Sequence, residues 1–285
     1  MKIALPNKGR LVEGARELLS RAGLELDMRD RALQASLGED YTALFVNARD
    51  IPEFVADGAA DLGITGGDLV AESGRDVGTL LDLGFGRCRL AVASRDDSGI
   101  ATIADVPAGA RVATVFPNLT KRYFEEIGRP IMLVPISGAV EVAPHLGLAD
   151  IIVDLVSTGS TLKVNGLIEV ACVMESTALL IARPELTSDA ATGQRAHELV
   201  AALESVLRAQ NKRYLMANVP KRVLPEIKRI LPGINGPTII DVLDGGEFVA
   251  AHAVVEQRDI YRTIAALKRV GAEGILVTKI ERLMP

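Results

Sequence analysis

The sequence predicts an α/β protein with a two-lobed core followed by a smaller βαββαβ domain, and three observations carry that expectation. Short apolar runs alternate with stretches of helical periodicity through residues 1–176, the pattern of strands and helices packed in layers. The last 75 residues switch to two helices set among four strands. Charge shifts at the same place. Residues 211–285 carry 12 Lys and Arg against 8 Asp and Glu, although the whole chain has a formal net charge of −5.

Residues 2–5 read as a strand. Leu11, Ala15, Leu18, Leu19 and Ala22 then recur at helical spacing up to Gly23. Residues 41–47 are a second strand, 51–57 a short helix closed by Gly58, and 62–64 a strand running into Thr65, Gly66, Gly67 and Asp68. Such alternation implies a mainly parallel sheet with helices on both faces. A second unit of the same kind follows the apolar run Arg89 to Ala93. Its expected strands are 111–115, 131–134 and 149–155. Helices are expected to start at 102–106, to be capped by 116–120, and to cover 140–146. The helix 197–210, with Leu199, Val200, Leu203, Val206 and Leu207 on one face, is expected to pack back on the first unit. The domains are therefore drawn as 1–92 with 177–210, 93–176, and 211–285. In the last, strands 213–218, 237–242, 247–255 and 274–280 flank helices 221–231 and 259–270, with Asp244, Gly245 and Gly246 as a hairpin turn. Two lobes joined by crossover strands enclose a cleft, where ligands bind.

Composition narrows the function. Aromatic residues make up only 4% of the chain and Trp is absent, which removes the stacking platforms of single-strand nucleic-acid binders. A net acidic chain is no general polyanion binder. No segment approaches the ~20 apolar residues needed to span a bilayer. The opening apolar run is too short for a signal peptide. Cys88 and Cys172 fit a reducing compartment and read as small buried hydrophobes. His145, His197 and His252 have no metal-site spacing with them. A cytoplasmic protein with neither nucleic-acid nor membrane partners is expected.

The chemistry concentrates in one segment. Ile151, Ile152 and Val153 form an apolar strand that ends on Asp154, followed by Ser157, Thr158, Gly159, Ser160 and Thr161. A glycine turn exposes backbone N–H groups, and hydroxyls add further donors, so several can converge on a phosphate. Asp154 is placed to accept hydrogen bonds from a ribose diol. An ordinary helix cap uses the same residue types. The Lys of a G-x-x-x-x-G-K-[ST] loop is missing, which disfavours a nucleotide triphosphatase.

From Glu141 to Leu162 the chain reads EVAPHLGLADIIVDLVSTGSTL. Glu141, Gly147, Ala149, Ile152, Asp154, Thr158, Gly159, Thr161 and Leu162 fall at the constrained positions of a signature that closely resembles that of the ATP phosphoribosyltransferases, with no departure. The similarity extends to Leu5 through Leu11, Ala48 through Pro52, Asp61 through Gly66 and Leu83 through Leu90. The C-terminal βαββαβ unit resembles the regulatory domain of the family's long form.

That resemblance implies a periplasmic-binding-protein-like catalytic core with a ferredoxin-like regulatory domain. It also implies attack of N1 of ATP on C1′ of phosphoribosyl pyrophosphate, with Mg²⁺, histidine as feedback inhibitor, and a hexameric homo-oligomer. Lys8, Arg10 and Arg49 follow strands at the cleft and suit the anionic reactants, with Lys8, Arg49 and Asp154 expected to be catalytic. Glu141, Ser157, Thr158, Gly159, Ser160 and Thr161 are expected on the donor side. Gly66, Gly67 and the turn from Gly84 to Arg89 are candidates for the ATP side. The metal ligands and any general base stay unassigned. The rival reading is a non-catalytic two-lobed protein that binds small anions, since fold alone does not choose between them.

Overall fold

A computed structural model describes residues 1–26, 33–184, 186, 190–242 and 246–284. The chain divides into two compact units, 1–200 and 201–285. The division falls inside one continuous helix.

The first unit holds two sheets. β1 (Lys2–Pro6), β3 (Tyr41–Val46) and β4 (Leu62–Gly66) are parallel, and β2 (Gln34–Leu37), β5 (Gly78–Asp82) and β11 (Ala178–Ala182) complete a sheet of order β2-β3-β1-β4-β11-β5. The helices of this lobe are α1 (Val12–Arg21), α2 (Ile51–Ala56) and α3 (Gly67–Ser73). The residues at helical spacing in α1 and beside it, from Leu11 to Ala22, are all buried, which is why this segment is a helix at all.

The second sheet is built from β6 (Cys88–Arg95), β7 (Ala110–Thr114), β8 (Ile131–Pro135), β9 (Ile151–Val156) and β10 (Leu167–Ser176), in the order β10-β6-β9-β7-β8. Its helices are α4 (Pro117–Glu126) and α5 (Ser160–Val164). The chain leaves the first lobe between β5 and β6 and returns between β10 and β11. The two crossing segments bond to each other: Leu83 N donates to Ala178 O and Ala178 N to Phe85 O, both at 2.9 Å.

Both sheets are mixed, which corrects the expectation of a mainly parallel arrangement. β11 runs antiparallel to β4 and β5, and β6 antiparallel to β9 and β10. A strand that receives a crossing, β6 or β11, enters its sheet from the cleft end and must oppose the strands that point towards it. Two expected helices are only short 3₁₀ turns, at Ile103–Asp105 and Val140–Val142. Pro107 and Gly109 follow the first, and Pro144 and Gly147 the second, so neither can propagate. Cys88 is buried as expected, but Cys172 is exposed because β10 is an edge strand.

α6 (Ala190–Ala209) runs from the first unit into the second, with Leu199, Leu203 and Val206 buried. The second unit contains β12 (Lys212–Pro220), α7 (Leu224–Ile230), β13 (Thr238–Asp241), β14 (Phe248–Glu256), α8 (Ile260–Arg269) and β15 (Glu273–Lys279). The antiparallel order β13-β14-β12-β15 is the ferredoxin-like one. Leu215, Ala217 and Val219 alternate with outward residues on β12 and pack with Ile227 and Leu267 of the helices. Asp244 and Gly245 of the anticipated hairpin turn lie outside the described residues. Among the described residues no helix is long and apolar enough to cross a membrane.

Candidate functional site

The parallel strands of each lobe of the first unit end beside the residues singled out in the sequence. Lys8, Arg49 and Gly66 follow or close β1, β3 and β4, while Val115, Glu141 and the turn from Ser157 follow β7, β8 and β9. Carboxyl ends of parallel strands are where open α/β sheets bind ligands.

β9 buries Ile151, Ile152 and Val153 completely and then delivers Asp154 to a partly exposed position. Behind it the chain turns through Gly159, whose φ of 77° is a left-handed conformation that side-chain-bearing residues adopt at a cost. Thr158 Oγ1 lies 2.9 Å from Ser160 Oγ, leaving both hydroxyls at the surface of the turn. α5 is only five residues long, so the turn's donors are its hydroxyls and free N–H groups more than a helix dipole.

A pocket of about 130 Å³ collects the segment: Glu141, Asp154, Ser157, Thr158, Gly159 and Thr161 all line it. Asp154 Oδ1 accepts one hydrogen bond, from Leu155 N at 2.8 Å. Burial pushes the Asp154 carboxyl above the usual aspartate range and the Glu141 carboxylate adds to this. The Leu155 N–H and the Arg49 guanidinium pull it back. Arg49 itself donates from Nη2 to Val115 O at 2.9 Å, and its Cζ lies 5.1 Å from the Phe116 ring centre. Glu141 sits in the Val140–Val142 turn, entered through Ala139 at φ 50°.

A larger pocket of about 480 Å³ adjoins it, lined by Asp82, Arg87, Cys88, Arg89, Ser157, Glu175, Ser176 and Thr177, so Ser157 faces both. Arg89 is held by Glu169 in a two-pronged grip, Nε to Oε1 at 2.7 Å and Nη2 to Oε2 at 2.5 Å. Its Nη2 also lies 4.0 Å from where a side chain on Gly159 would begin. The turn from Gly84 to Arg89 was visible in the sequence as a ligand candidate, but Glu169, Glu175 and Ser176 were not. They come from β10, some eighty residues later, and only the register of β10 on β6 brings them there.

Lys8 is exposed in the loop after β1. Arg10 is engaged internally: Nη2 donates to Asp68 Oδ1 at 2.6 Å and Nη1 to Gly86 O at 3.2 Å. Asp68 is fully buried and Ser176 Oγ also donates to its Oδ1, at 2.6 Å. Gly66 lies behind this pair. A Cβ there would stand 2.3 Å from Asp68 Oδ1, so the close approach requires glycine. Gly67 N donates to Thr177 O at 2.9 Å. Neither glycine lines the two pockets described above. His145 Nε2 lies 2.7 Å from Asn165 O, and His252 Nδ1 2.8 Å from the Tyr214 hydroxyl, so each is a hydrogen-bonded structural residue.

A two-lobed α/β core with crossing segments at one end is the architecture of ligand-binding domains that enclose small molecules between lobes. A putative L-cystine ABC transporter from Listeria monocytogenes shares that fold at a TM-score of 0.52 and 12% identity, covering 73% of this chain and 90% of its own. Nearer relatives are specific. The family profile of ATP phosphoribosyltransferase matches residues 47–205, and that of HisG, C-terminal domain, matches 209–282. An ATP phosphoribosyltransferase from Gemmatimonas aurantiaca is 58% identical over the whole of both chains, and one from Methanocaldococcus jannaschii 44% over 99% of each. An ATP phosphoribosyl transferase (HisG:HisZ) complex from Thermotoga maritima matches at a TM-score of 0.64 and 30% identity, over 73% of this chain and 98% of that one. The chain belongs to the ATP phosphoribosyltransferase family.

Proposed function

We propose that the smaller pocket is the donor site, and the larger one the acceptor site, of the reaction that defines the family. The chain transfers the phosphoribosyl group of phosphoribosyl pyrophosphate to N1 of ATP, giving phosphoribosyl-ATP and pyrophosphate in the first step of histidine biosynthesis. One observation carries the assignment of pockets: Glu141, Asp154 and the glycine turn share a cavity, and Ser157 also faces its larger neighbour.

In this reading the ribose hydroxyls donate to Asp154. The hydroxyls of Ser157, Thr158 and Thr161, with the N–H groups exposed at Gly159, hold the 5′-phosphate, while Ser160, outside the lining, supports Thr158 through its hydroxyl. Arg87 and Arg89 meet the triphosphate of ATP at the mouth of the larger pocket. The neutral adenine N1 carries a free lone pair, so the attack on C1′ needs alignment rather than a base. As the C1′–O bond to pyrophosphate breaks, positive character grows on the ribose and negative charge on the leaving group. Asp154 lies on the side of the first; Lys8 and Arg49, at the strand ends of the opposite lobe, answer the second.

The residues present fit Mg²⁺. Among the described residues no cluster of three His, Cys, Asp or Glu side chains could hold a metal ion unaided. The Asp154 and Glu141 carboxylates line one pocket, and Glu141 adds to the cost of ionising Asp154, which a cation relieves. Mg²⁺ is ordinarily held by one or two carboxylates together with substrate phosphates. When bound it would offset the charge of the departing pyrophosphate.

The C-terminal unit is read as regulatory, with histidine as feedback inhibitor and a homo-hexamer as the assembly, in the cytoplasm. Support comes from its match to the HisG C-terminal domain and from the open edges of β13 and β15, which suit pairing with another subunit. Purified chain incubated with ATP, phosphoribosyl pyrophosphate and Mg²⁺ is expected to release pyrophosphate and a new nucleotide. Thr161→Ala should lower turnover, and a wild-type rate in that variant would remove the turn from the mechanism. Added histidine should slow the full chain, whereas equal sensitivity in a chain ending at Gln210 would refute the regulatory assignment.

A further inference from the structure

α4 has no cap of its own. The residue at its N-cap is Phe116, Pro117 follows, and no acidic side chain stands in its first turn. The sequence suggested that residues 116–120 would cap this helix, yet the capping group comes from the other lobe. Glu72, in the last turn of α3, accepts from Asn118 N at 3.0 Å through Oε1 and from Leu119 N at 2.9 Å through Oε2. Asn118 Nδ2 returns a bond to Glu72 O at 2.9 Å. A carboxylate on two otherwise unpaired N–H groups at a helix start is favoured by both hydrogen bonding and the helix dipole. Leu69 and Ala71 of α3 pack on the core of the second lobe beside this contact, so α3 is a support on which that lobe rests.

The capped segment leads to the donor site by a short route. Arg49 grips the same stretch from the first lobe, at Val115 O and the Phe116 ring. One residue earlier, Thr114 is fully buried and its hydroxyl is fully used. Oγ1 donates to Val153 O at 2.8 Å and accepts from Phe116 N at 2.9 Å and Thr120 Oγ1 at 3.3 Å. Val153 is paired with Thr114 in the sheet and is followed directly by Asp154. Chain from Glu72 to the strand end is thus continuous in hydrogen bonds and covalent backbone.

We infer that Glu72 is a positioning residue for the transfer: by capping α4 from the opposite lobe it fixes, through residues 114–119, the strand end that presents Asp154 to the donor. Glu72 touches neither pocket. Its effect is confined to the placement of Asp154, and so to the donor rather than to ATP. The inference rests on the reading of Asp154 as the ribose ligand, and its test separates the two.

Amide hydrogen exchange on the full chain without substrates reads the linkage. Glu72→Ala should speed exchange at Asn118 and Leu119 by about tenfold, the scale of a lost helix cap. The acceleration should extend to Phe116 and Leu155. Lys121→Ala, on the outer face of α4, is the control and should leave all four unchanged. Steady-state kinetics read the consequence. kcat/KM for phosphoribosyl pyrophosphate should fall about tenfold in Glu72→Ala and by an intermediate factor in Glu72→Gln, while the KM for ATP stays within about twofold. Thr114→Val should give the same donor-specific loss with α4 still capped. Faster exchange confined to Asn118 and Leu119, or an equal loss on both substrates, would overturn the inference. Should the wild-type chain form no phosphoribosyl-ATP, the reading of the reaction fails, and the exchange pattern still decides the linkage.

Discussion

Two strand ends in the first unit use the same local pattern for opposite purposes. β4 closes on Gly66 and passes directly into α3 through Gly67 and Asp68; after β9, which carries Asp154 near its end, comes Ser157-Thr158-Gly159 and a helix. Both bring an aspartate beside a glycine turn. Asp68 is sealed in, with Arg10 and Ser176 both donating to its Oδ1. Asp154 opens on a pocket, has one backbone donor, and shares its cavity with another acid. The first aspartate has its Oδ1 doubly paired and its Oδ2 buried without a partner among the described residues, closed off from solvent, so it holds the protein together. The second has a partner still to find. Glycine and aspartate in a turn identify a site only when the hydrogen-bonding capacity left over after folding faces an open pocket.

Exchanging each aspartate for its neutral isostere should break the two regions in different ways. Asp154→Asn is expected to lower kcat/KM for the donor about 100-fold, the scale of two lost charge-assisted hydrogen bonds. Its melting temperature should equal or exceed that of the wild type, because a buried, poorly compensated charge is gone. Asp68→Asn should do the reverse. About 2 kcal/mol of stability is expected to be lost in denaturant titration, from a buried pair whose Arg10 is 27% exposed and can turn partly to water. Activity per folded molecule should then fall less than about tenfold. A catalytic collapse in Asp68→Asn with unchanged stability would erase the contrast.

Gly159→Ala sharpens it further. A side chain there would meet nothing nearer than 3.9 Å, so the cost is that of the left-handed backbone alone, about 1 kcal/mol by thermal melting. The smallest effect concerns pH. With its pKa raised in the folded protein, Asp154 keeps its proton there over a range in which the unfolded chain has released it. The wild type should therefore lose stability relative to Asp154→Asn as pH rises from about 4 through the carboxyl's elevated value. Donor affinity should rise over the same window, since only the ionised carboxylate accepts from both ribose hydroxyls. Melting curves of the two proteins and donor titrations across that range check both signs.

Much of this was legible in the sequence, and the limit has a physical reason. The apolar strand into Asp154, the turn at Gly159 and the buried face of α1 are set by neighbours a few residues apart, and local periodicity exposes such features. The reversed directions of β6 and β11 were not legible, because they follow from the chain crossing twice between lobes. Arg10 looked like a cation awaiting an anion, yet its partner Asp68 sits 58 positions away. Arg89 was visible, but Glu169, 80 positions on, was not. The cap on α4 lies 46 positions from its helix and leaves one sequence trace, a helix start with Phe and Pro where a capping side chain belongs.

The place of β11 has a bearing on how the protein is made. That strand fills the gap between β4 and β5, although about a hundred residues of the other lobe are translated first. Until Ala178 through Ala182 leave the ribosome, β4 has an open edge and β5 has no sheet to join. The later-synthesised lobe holds all its own strands and can fold while the earlier one waits. On this topology the first lobe's sheet cannot be completed until its own last strand is made, after every strand of the second lobe.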